Sequence, residues 1–230
     1  MIRTKTALVT GTSLGVGNSL VTKLYNDGYT VIATSRNPEH LIKNKESFGW
    51  GDEVLIEHLD LTDIESIKLL YSKYKDISLD LLINNAAGGS YNEGEHELFE
   101  AFEHALLLNT AGPAHLTKLF LNNLKRSQNP TVVMISSFAG KYFYAGDITY
   151  SVSKSAVSAM AEVLRIEFMH SNVKVTEIRP ASINTRPDNP NLNHMDTSNV
   201  VDSIIWVSEM PKNCNIDLIE MSPIFCKKYS

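Results

Sequence analysis

The stretch Thr6–Asp27, TALVTGTSLGVGNSLVTKLYND, decides the fold. It opens on the apolar and β-branched run Thr6–Thr10, passes Gly11, Gly15 and Gly17, and continues as an amphipathic segment to Asp27. That order of residues encodes a buried strand, a tight turn and a helix. Glycine lets the backbone turn sharply and approach a ligand closely. The helix start adds unpaired N–H groups and the positive end of its dipole. Such a turn suits a phosphate, and a pyrophosphate is expected there, although a tight loop without a ligand has the same composition. The spacing differs from the usual G-x-G-x-x-G fingerprint.

Working outward, short β-branched or apolar runs alternate with helix-length segments along the whole chain. The runs are Thr6–Thr10, Tyr29–Thr34, Val54–Leu59, Leu79–Asn84, Thr131–Ser136, Lys174–Ile178 and Ile216–Met221. The clearest helical segments are Gly17–Asp27, Asp63–Tyr74, Glu97–Leu124, Tyr150–His170 and Asn199–Ser208. This pattern predicts a doubly wound α/β fold, a seven-stranded parallel sheet with helices on both faces. At 230 residues it is expected to be one domain, 1–230. Residues 186–197, RPDNPNLNHMDT, are rich in proline and asparagine. They are expected to form no regular element and to serve as a short substrate flap.

Composition narrows the function classes. Hydrophobic residues make up 43% and charged residues 20%, which excludes disordered, collagen-like and disulfide-scaffold chains. Lys and Arg number 21 against 26 Asp and Glu, a formal charge of -5, so nucleic acid is not an expected partner. Cys214 and Cys226 cannot form a disulfide framework, and MIRTKTALVT contains no apolar signal region; a reduced, cytoplasmic protein is expected. No apolar run approaches the ~18–20 residues of a membrane span. The seven histidines lack metal-ligand spacing, and no metal site is expected.

TGTSLGVG, with its Gly-x3-Gly-x-Gly spacing, resembles the glycine turn of the short-chain dehydrogenase/reductase family, and further landmarks of that family follow in order. HLDLTD contains Asp60 and Leu61, LLINNAAGG contains Asn85, Ala86 and Ala87, and IRPASINT contains Pro180, Ile183 and Thr185. Asn109, Ser137, Tyr150 and Lys154 fall at the family's catalytic positions. The resemblance implies a Rossmann-type dinucleotide fold. Gly11, Thr12, Ser13, Leu14, Gly15, Val16 and Gly17 would surround the pyrophosphate, Asp60 and Leu61 the adenine, and Ile183 and Thr185 the nicotinamide end. It also implies a homodimer or homotetramer. Ala87 and Ala181 stand where the family usually has glycine, each adding a methyl near the expected cofactor.

The second strand ends in IATSRNP. NAD enzymes of such folds place a carboxylate there for the ribose 2′-hydroxyl, and it would repel a 2′-phosphate. Here Thr34, Ser35 and Arg36 offer hydroxyls and a guanidinium instead, which favours NADP(H) over NAD(H). Leu14 occupies a turn position where many NADP-dependent relatives have a second basic residue.

Tyr150 and Lys154, four apart in YSVSK, share one helix face. A phenol normally ionises near pH ~10, and a nearby ammonium stabilises its anion, so Tyr150 is the candidate general acid/base. Ser137 closes the strand TVVMIS and is preferred to Ser136 for holding the substrate oxygen, because the family counts to the second serine of Ser-Ser-x-x-Gly. Pro113, four residues after Asn109, lacks an N–H and should free the Asn109 carbonyl. The resemblance implies a water on that carbonyl, in a proton relay through Lys154 to Tyr150. Tyr142, Phe143 and Tyr144 are the candidate substrate wall. The expected activity is hydride transfer between nicotinamide and a small-molecule substrate, a carbonyl compound or secondary alcohol. An enoyl reductase is less favoured, since such relatives space the tyrosine and lysine farther apart. The rival from another class is an idle nucleotide-binding sensor or scaffold on the same fold.

Overall fold

The computed structural model describes residues 4–89, 99–143, 145–185, 191 and 193–224. The elements run β1 (Thr6–Thr10), α1 (Gly15–Asn26), β2 (Thr30–Ser35), α2 (Pro38–Phe48), β3 (Val54–His58), α3 (Ile64–Tyr74) and β4 (Leu81–Asn84). After α4 (Phe99–Leu106) come a wide π turn (Leu107–Ala111), α5 (Gly112–Leu119), α6 (Leu121–Lys125) and β5 (Thr131–Ile135). The chain then forms α7 (Ile148–Phe168), β6 (Lys174–Pro180), the short pair β7 (Ile183–Asn184) and β8 (Met195–Asp196), α8 (Thr197–Glu209) and β9 (Leu218–Met221).

Seven strands form one parallel sheet in the order β3-β2-β1-β4-β5-β6-β9. Alternation along each strand divides the core between the two faces. Ala7, Val9, Val31 and Ala33 face Leu20, Leu24 and Ile204 from α1 and α8. Leu8, Ile32, Val132 and Met134 face Ile67, Leu116, Val157 and Leu164 from α3, α5 and α7. β1 and β4 are neighbours, yet the chain winds away from them in opposite directions. That opens a crevice beyond their carboxyl ends, where open α/β sheets bind ligands.

Three sequence expectations are corrected. Helix α2 does not appear among the helical segments expected above. Leu41 is its one buried residue, so its apolar periodicity is faint, although Asn37 caps it by accepting from Glu39 N–H at 3.1 Å and Pro38 opens it. The segment expected as one helix from Glu97 to Leu124 is broken, with the π turn at Leu107–Ala111 just ahead of Pro113. Gly112 lies there against the backbone of Leu61, where a Cβ would stand 2.3 Å from the carbonyl oxygen. The end of the expected flap is regular as well. Met195–Asp196 pairs with Ile183–Asn184, and a reciprocal cap between Asp196 and Asn199 starts α8 at Thr197.

Candidate active site

A cleft of about 1360 Å³ lies over the carboxyl ends of β1, β4, β5 and β6. At one end Gly11 and Gly15 have positive φ, 69° and 58°, a region that L side chains rarely adopt. A Cβ on Gly17 would stand 2.2 Å from the Gly11 carbonyl oxygen, so α1 can approach the turn only with glycine there. Leu14 occupies the N-cap of α1 and has no side-chain oxygen to offer, which leaves the first-turn N–H groups to an anion. Asn85 ties the turn to β4, its amide donating to the carbonyls of Thr10 and Gly11 at 2.8 and 2.9 Å. The N–H groups of Asn85 and Ala86 both donate to the Thr10 hydroxyl at 3.0 Å. Thr10 was not singled out from the sequence; its only sequence signal is its place as the last residue before the turn.

Beside the glycine turn the lining includes Ser13, Leu14, Val16, Thr34, Ser35, Arg36, Asn37, Leu59 and Leu61. The Ser13 and Ser35 hydroxyls are 2.6 Å apart, and the Asn37 N–H donates to Ser35 Oγ at 3.0 Å. No carboxylate from the end of β2 joins this wall, and Arg36 is exposed at its rim. Asp60 lies outside the lining. Burial raises its pKa, but hydrogen bonds from the Thr62 hydroxyl and N–H, with the charges of Arg36 and His104, outweigh that and hold it below the usual value. Thr12 also turns away: its hydroxyl donates to the Thr34 carbonyl at 3.1 Å in the core.

At the other end Ser137, Tyr150 and Lys154 line the same cleft, with Ala86, Ala87, Pro180, Ala181, Ile183 and Thr185 between them and the glycine turn. Lys154 is 2% exposed, and its ammonium donates to the Ile135 carbonyl at 2.9 Å. Burial pushes its pKa down to about 8, so it can exchange a proton in the physiological range. Its Nζ stands 5.7 Å from the centre of the Tyr150 ring. Ser137 Oγ accepts from Ala139 N–H at 3.2 Å, and a hydroxyl that accepts still has its hydrogen to donate. Ser136, the competitor, gives its hydrogen to Glu177 at 2.5 Å inside the core.

Asn109 is buried beneath the cleft rather than in its wall. Its amide clamps the Gly88 backbone, accepting from the N–H at 2.9 Å and donating to the carbonyl at 2.7 Å. The same amide donates to Ser153 Oγ at 2.9 Å, and Ser153 donates to the Tyr150 carbonyl at 2.9 Å. Asn109 therefore connects the segment after β4 to the helix that carries Tyr150.

Two of the three residues of the expected substrate wall, Tyr142 and Phe143, are not in the described lining of the cleft. Tyr142 points to Glu220, donating to its carboxylate at 3.0 Å, and Phe143 is 69% exposed; neither lines the cleft. Tyr144 lies outside the described residues, as do 186–190 and 192 of the flap. Phe138, Asp147, Asn191, Asn193, His194 and Pro223 line the cleft instead. Among the described residues no cluster of metal-ligating side chains occurs, and no helix is long and apolar enough to cross a membrane.

The fold is shared with known proteins. The sequence is 27% identical over 235 residues to the NADP-dependent 3-hydroxy acid dehydrogenase of Escherichia coli K12, covering 94% of each chain. Among solved structures, serine dehydrogenase complexed with NADP+ superimposes with a TM-score of 0.87 at 26% identity, covering 96% of each chain. An alcohol dehydrogenase from the archaeon Thermococcus sibiricus, complexed with 5-hydroxy-NADP, gives the same score at 22% identity over 98% and 99% of the chains, a likeness of fold. The sequence pattern of short chain dehydrogenases matches residues 5–195, a span that holds both the glycine turn and the tyrosine–lysine pair, and the chain belongs to that family.

Proposed function

We propose that the protein is an NADP(H)-dependent oxidoreductase acting on a small carbonyl compound or its alcohol, with Tyr150 as general acid/base. The observation that carries this is the arrangement at the deep end of the cleft. A buried Lys154 beside Tyr150 and a hydroxyl on Ser137 face one space, in line with a glycine turn shaped for a pyrophosphate. The residues fit a dinucleotide, since the glycines let the turn pack tightly against Ala86, Thr185 and Asn85 while the uncapped start of α1, at Leu14, leaves first-turn N–H groups for a phosphate. NADP(H), when bound, supplies the hydride.

Ser13, Ser35 and Arg36 would hold the 2′-phosphate, Leu61 would lie near the adenine, and Lys154 would serve the ribose hydroxyls. Tyr150 donates its proton to the carbonyl oxygen during reduction and recovers it through Lys154. Ser137 donates a hydrogen bond to the same oxygen as charge develops there. Asn109 holds Gly88 and Ser153 in place, and Asp147, Phe138 and His194 border the substrate space. The NADP-dependent relatives support the cofactor choice, and their hydroxy-acid substrates suggest which compounds to try.

Exposed Val152, Val163 and Ile166 fall along one side of α7 and support packing against a second copy of a single-domain chain. Two cysteines in 230 residues support a reducing compartment such as the cytoplasm.

Calorimetric titration with NADPH and NADH tests the cofactor, and oxidation of serine and 3-hydroxybutyrate with NADP+ tests the reaction. Tyr150→Phe is expected to lower kcat by ~10²-fold or more while leaving NADPH affinity nearly unchanged. Equal turnover in the variant removes Tyr150 from the chemistry.

A further inference from the structure

Outside the cleft, charge is buried on the α7 face of the sheet. Glu177 and Arg179 are alternate residues of β6, so both point toward α7, past the level where Val175 and Val157 close the apolar core. Glu177 is 3% exposed and Arg179 is 8% exposed. One Glu177 oxygen accepts from Ser136 Oγ at 2.5 Å, from Ser158 Oγ at 2.7 Å and from Arg179 Nε at 3.0 Å. Arg179 Nη1 then reaches Glu220 on the neighbouring β9 at 3.1 Å, in register across the two strands. The Glu220 carboxylate also receives Lys141 Nζ and the Tyr142 hydroxyl, each at 3.0 Å.

Both ends of this chain of charges meet the loop that carries Ser137. Ser136 precedes Ser137 directly, while Lys141 and Tyr142 follow the turn Phe138–Gly140 that Ser137 caps. A buried ion pair repays its desolvation poorly, and apolar residues of similar volume often stabilise as well or better. A role in position accounts for its presence where stability does not. Tyr142, expected from the sequence to contact substrate, is an outer anchor of the chain.

We propose that Arg179 and Glu220 are positioning residues that hold the Ser137–Tyr142 loop against the cleft, through Glu177 and Ser136 at one end and Lys141 and Tyr142 at the other. The inference rests on the oxidoreductase reading above, which makes Ser137 the substrate-oxygen donor. The Ala139, Gly140, Lys141 and Tyr142 N–H groups are all bonded within this loop, so their hydrogen exchange reports its opening.

Hydrogen exchange and NADP+ oxidation of 3-hydroxybutyrate test it on Glu220→Gln, Glu220→Asp and Tyr142→Phe, the last a small change that leaves the fold intact. Glu220→Gln is expected to speed exchange of those four amides by ~10-fold, with β1 amides unchanged, and Tyr142→Phe to do so by ~3-fold. In Glu220→Gln, kcat should fall ~10-fold at unchanged NADP+ affinity, beyond whatever the loss of one Arg179 partner costs in melting temperature, and Glu220→Asp should recover most of it. Unchanged loop exchange in both Glu220→Gln and Tyr142→Phe overturns the positioning role. So does a loss of kcat that only follows a loss of NADP+ affinity and melting temperature. Wild-type protein that binds NADP+ but oxidises none of the hydroxy acids, and reduces none of the matching carbonyls, overturns the oxidoreductase reading instead. The exchange data then still decide whether the charges hold the loop.

Discussion

At the end of the cleft proposed for the nucleotide, Gly11, Gly15 and Gly17 come from one turn and act through backbone shape. At the chemical end, Ser137 follows β5, Tyr150 and Lys154 ride on α7, and Asn109 braces them from the π turn. The first region is specified by which atoms are missing, since a Cβ on Gly11 or Gly17 would strike Ala86, the Gly11 carbonyl oxygen or the Asn85 amide. The second is specified by atoms that are present and expensive to bury, a lysine amine above all. Damage to the first should therefore remove binding, whereas damage to the second should remove chemistry and can even stabilise the protein.

The largest effect is expected at Gly17. A Cβ there meets the Gly11 carbonyl oxygen at 2.2 Å and the Asn85 amide nitrogen at 2.6 Å, groups that have little room to retreat. Gly17→Ala is expected to destabilise the fold by ~3 kcal/mol and to weaken NADPH binding by ~100-fold, read by urea denaturation and calorimetry. A variant with wild-type affinity would show that the turn tolerates a methyl.

Lys154 probes the opposite region. Its folded pKa of about 8 lies below its ordinary value of 10.5, so the unfolded chain holds more protons between those pH values. Stability therefore rises with pH across that window, and below pH 8 the buried charge costs ~3 kcal/mol. Lys154→Met removes that cost but orphans the Ile135 carbonyl, at ~1 kcal/mol. The variant should thus be inactive yet ~2 kcal/mol more stable than wild type at pH 7, with the advantage vanishing toward pH 10. Urea titrations across pH measure this; a destabilised variant at pH 7 contradicts it.

Smaller effects sharpen the boundary between the regions. Arg36 lies exposed at the rim, where water screens its charge, so Arg36→Ala should weaken NADPH binding by about tenfold, ~1.4 kcal/mol, and leave NADH binding nearly unchanged. Equal losses for both nucleotides would assign it no role at the 2′-phosphate. Phe143 is 69% exposed and away from the cleft, so Phe143→Ala should shift stability by less than ~0.5 kcal/mol. Steady-state kinetics should change less than twofold, and a larger rise in KM would return Phe143 to the substrate wall.

Legibility in the sequence followed the range of the interaction involved. The strand–turn–helix of β1 and α1 could be read because its glycines and apolar alternation act within one local segment. YSVSK could be read because residues four apart share a helix face. Helix α2 was missed because the single buried side chain Leu41 gives little periodicity. Near Asn109 the sequence points to a carbonyl freed by Pro113 but not to the π turn that breaks the helix, where Gly112 also lies against Leu61.

By itself, then, the amino-acid sequence determined the alternating architecture, the glycine turn and the spacing of Tyr150 and Lys154. Each depends on backbone sterics or helix periodicity over a few residues. The tertiary structure shows in addition that Ser136, which lines the cleft beside Ser137, gives its hydrogen to Glu177, and that Asn109 clamps Gly88. It also decided that Tyr142 anchors to Glu220 rather than lining the substrate space. Those outcomes join residues far apart in the chain, and a short polar side chain takes whichever partner the packed strands and helices bring within hydrogen-bonding distance.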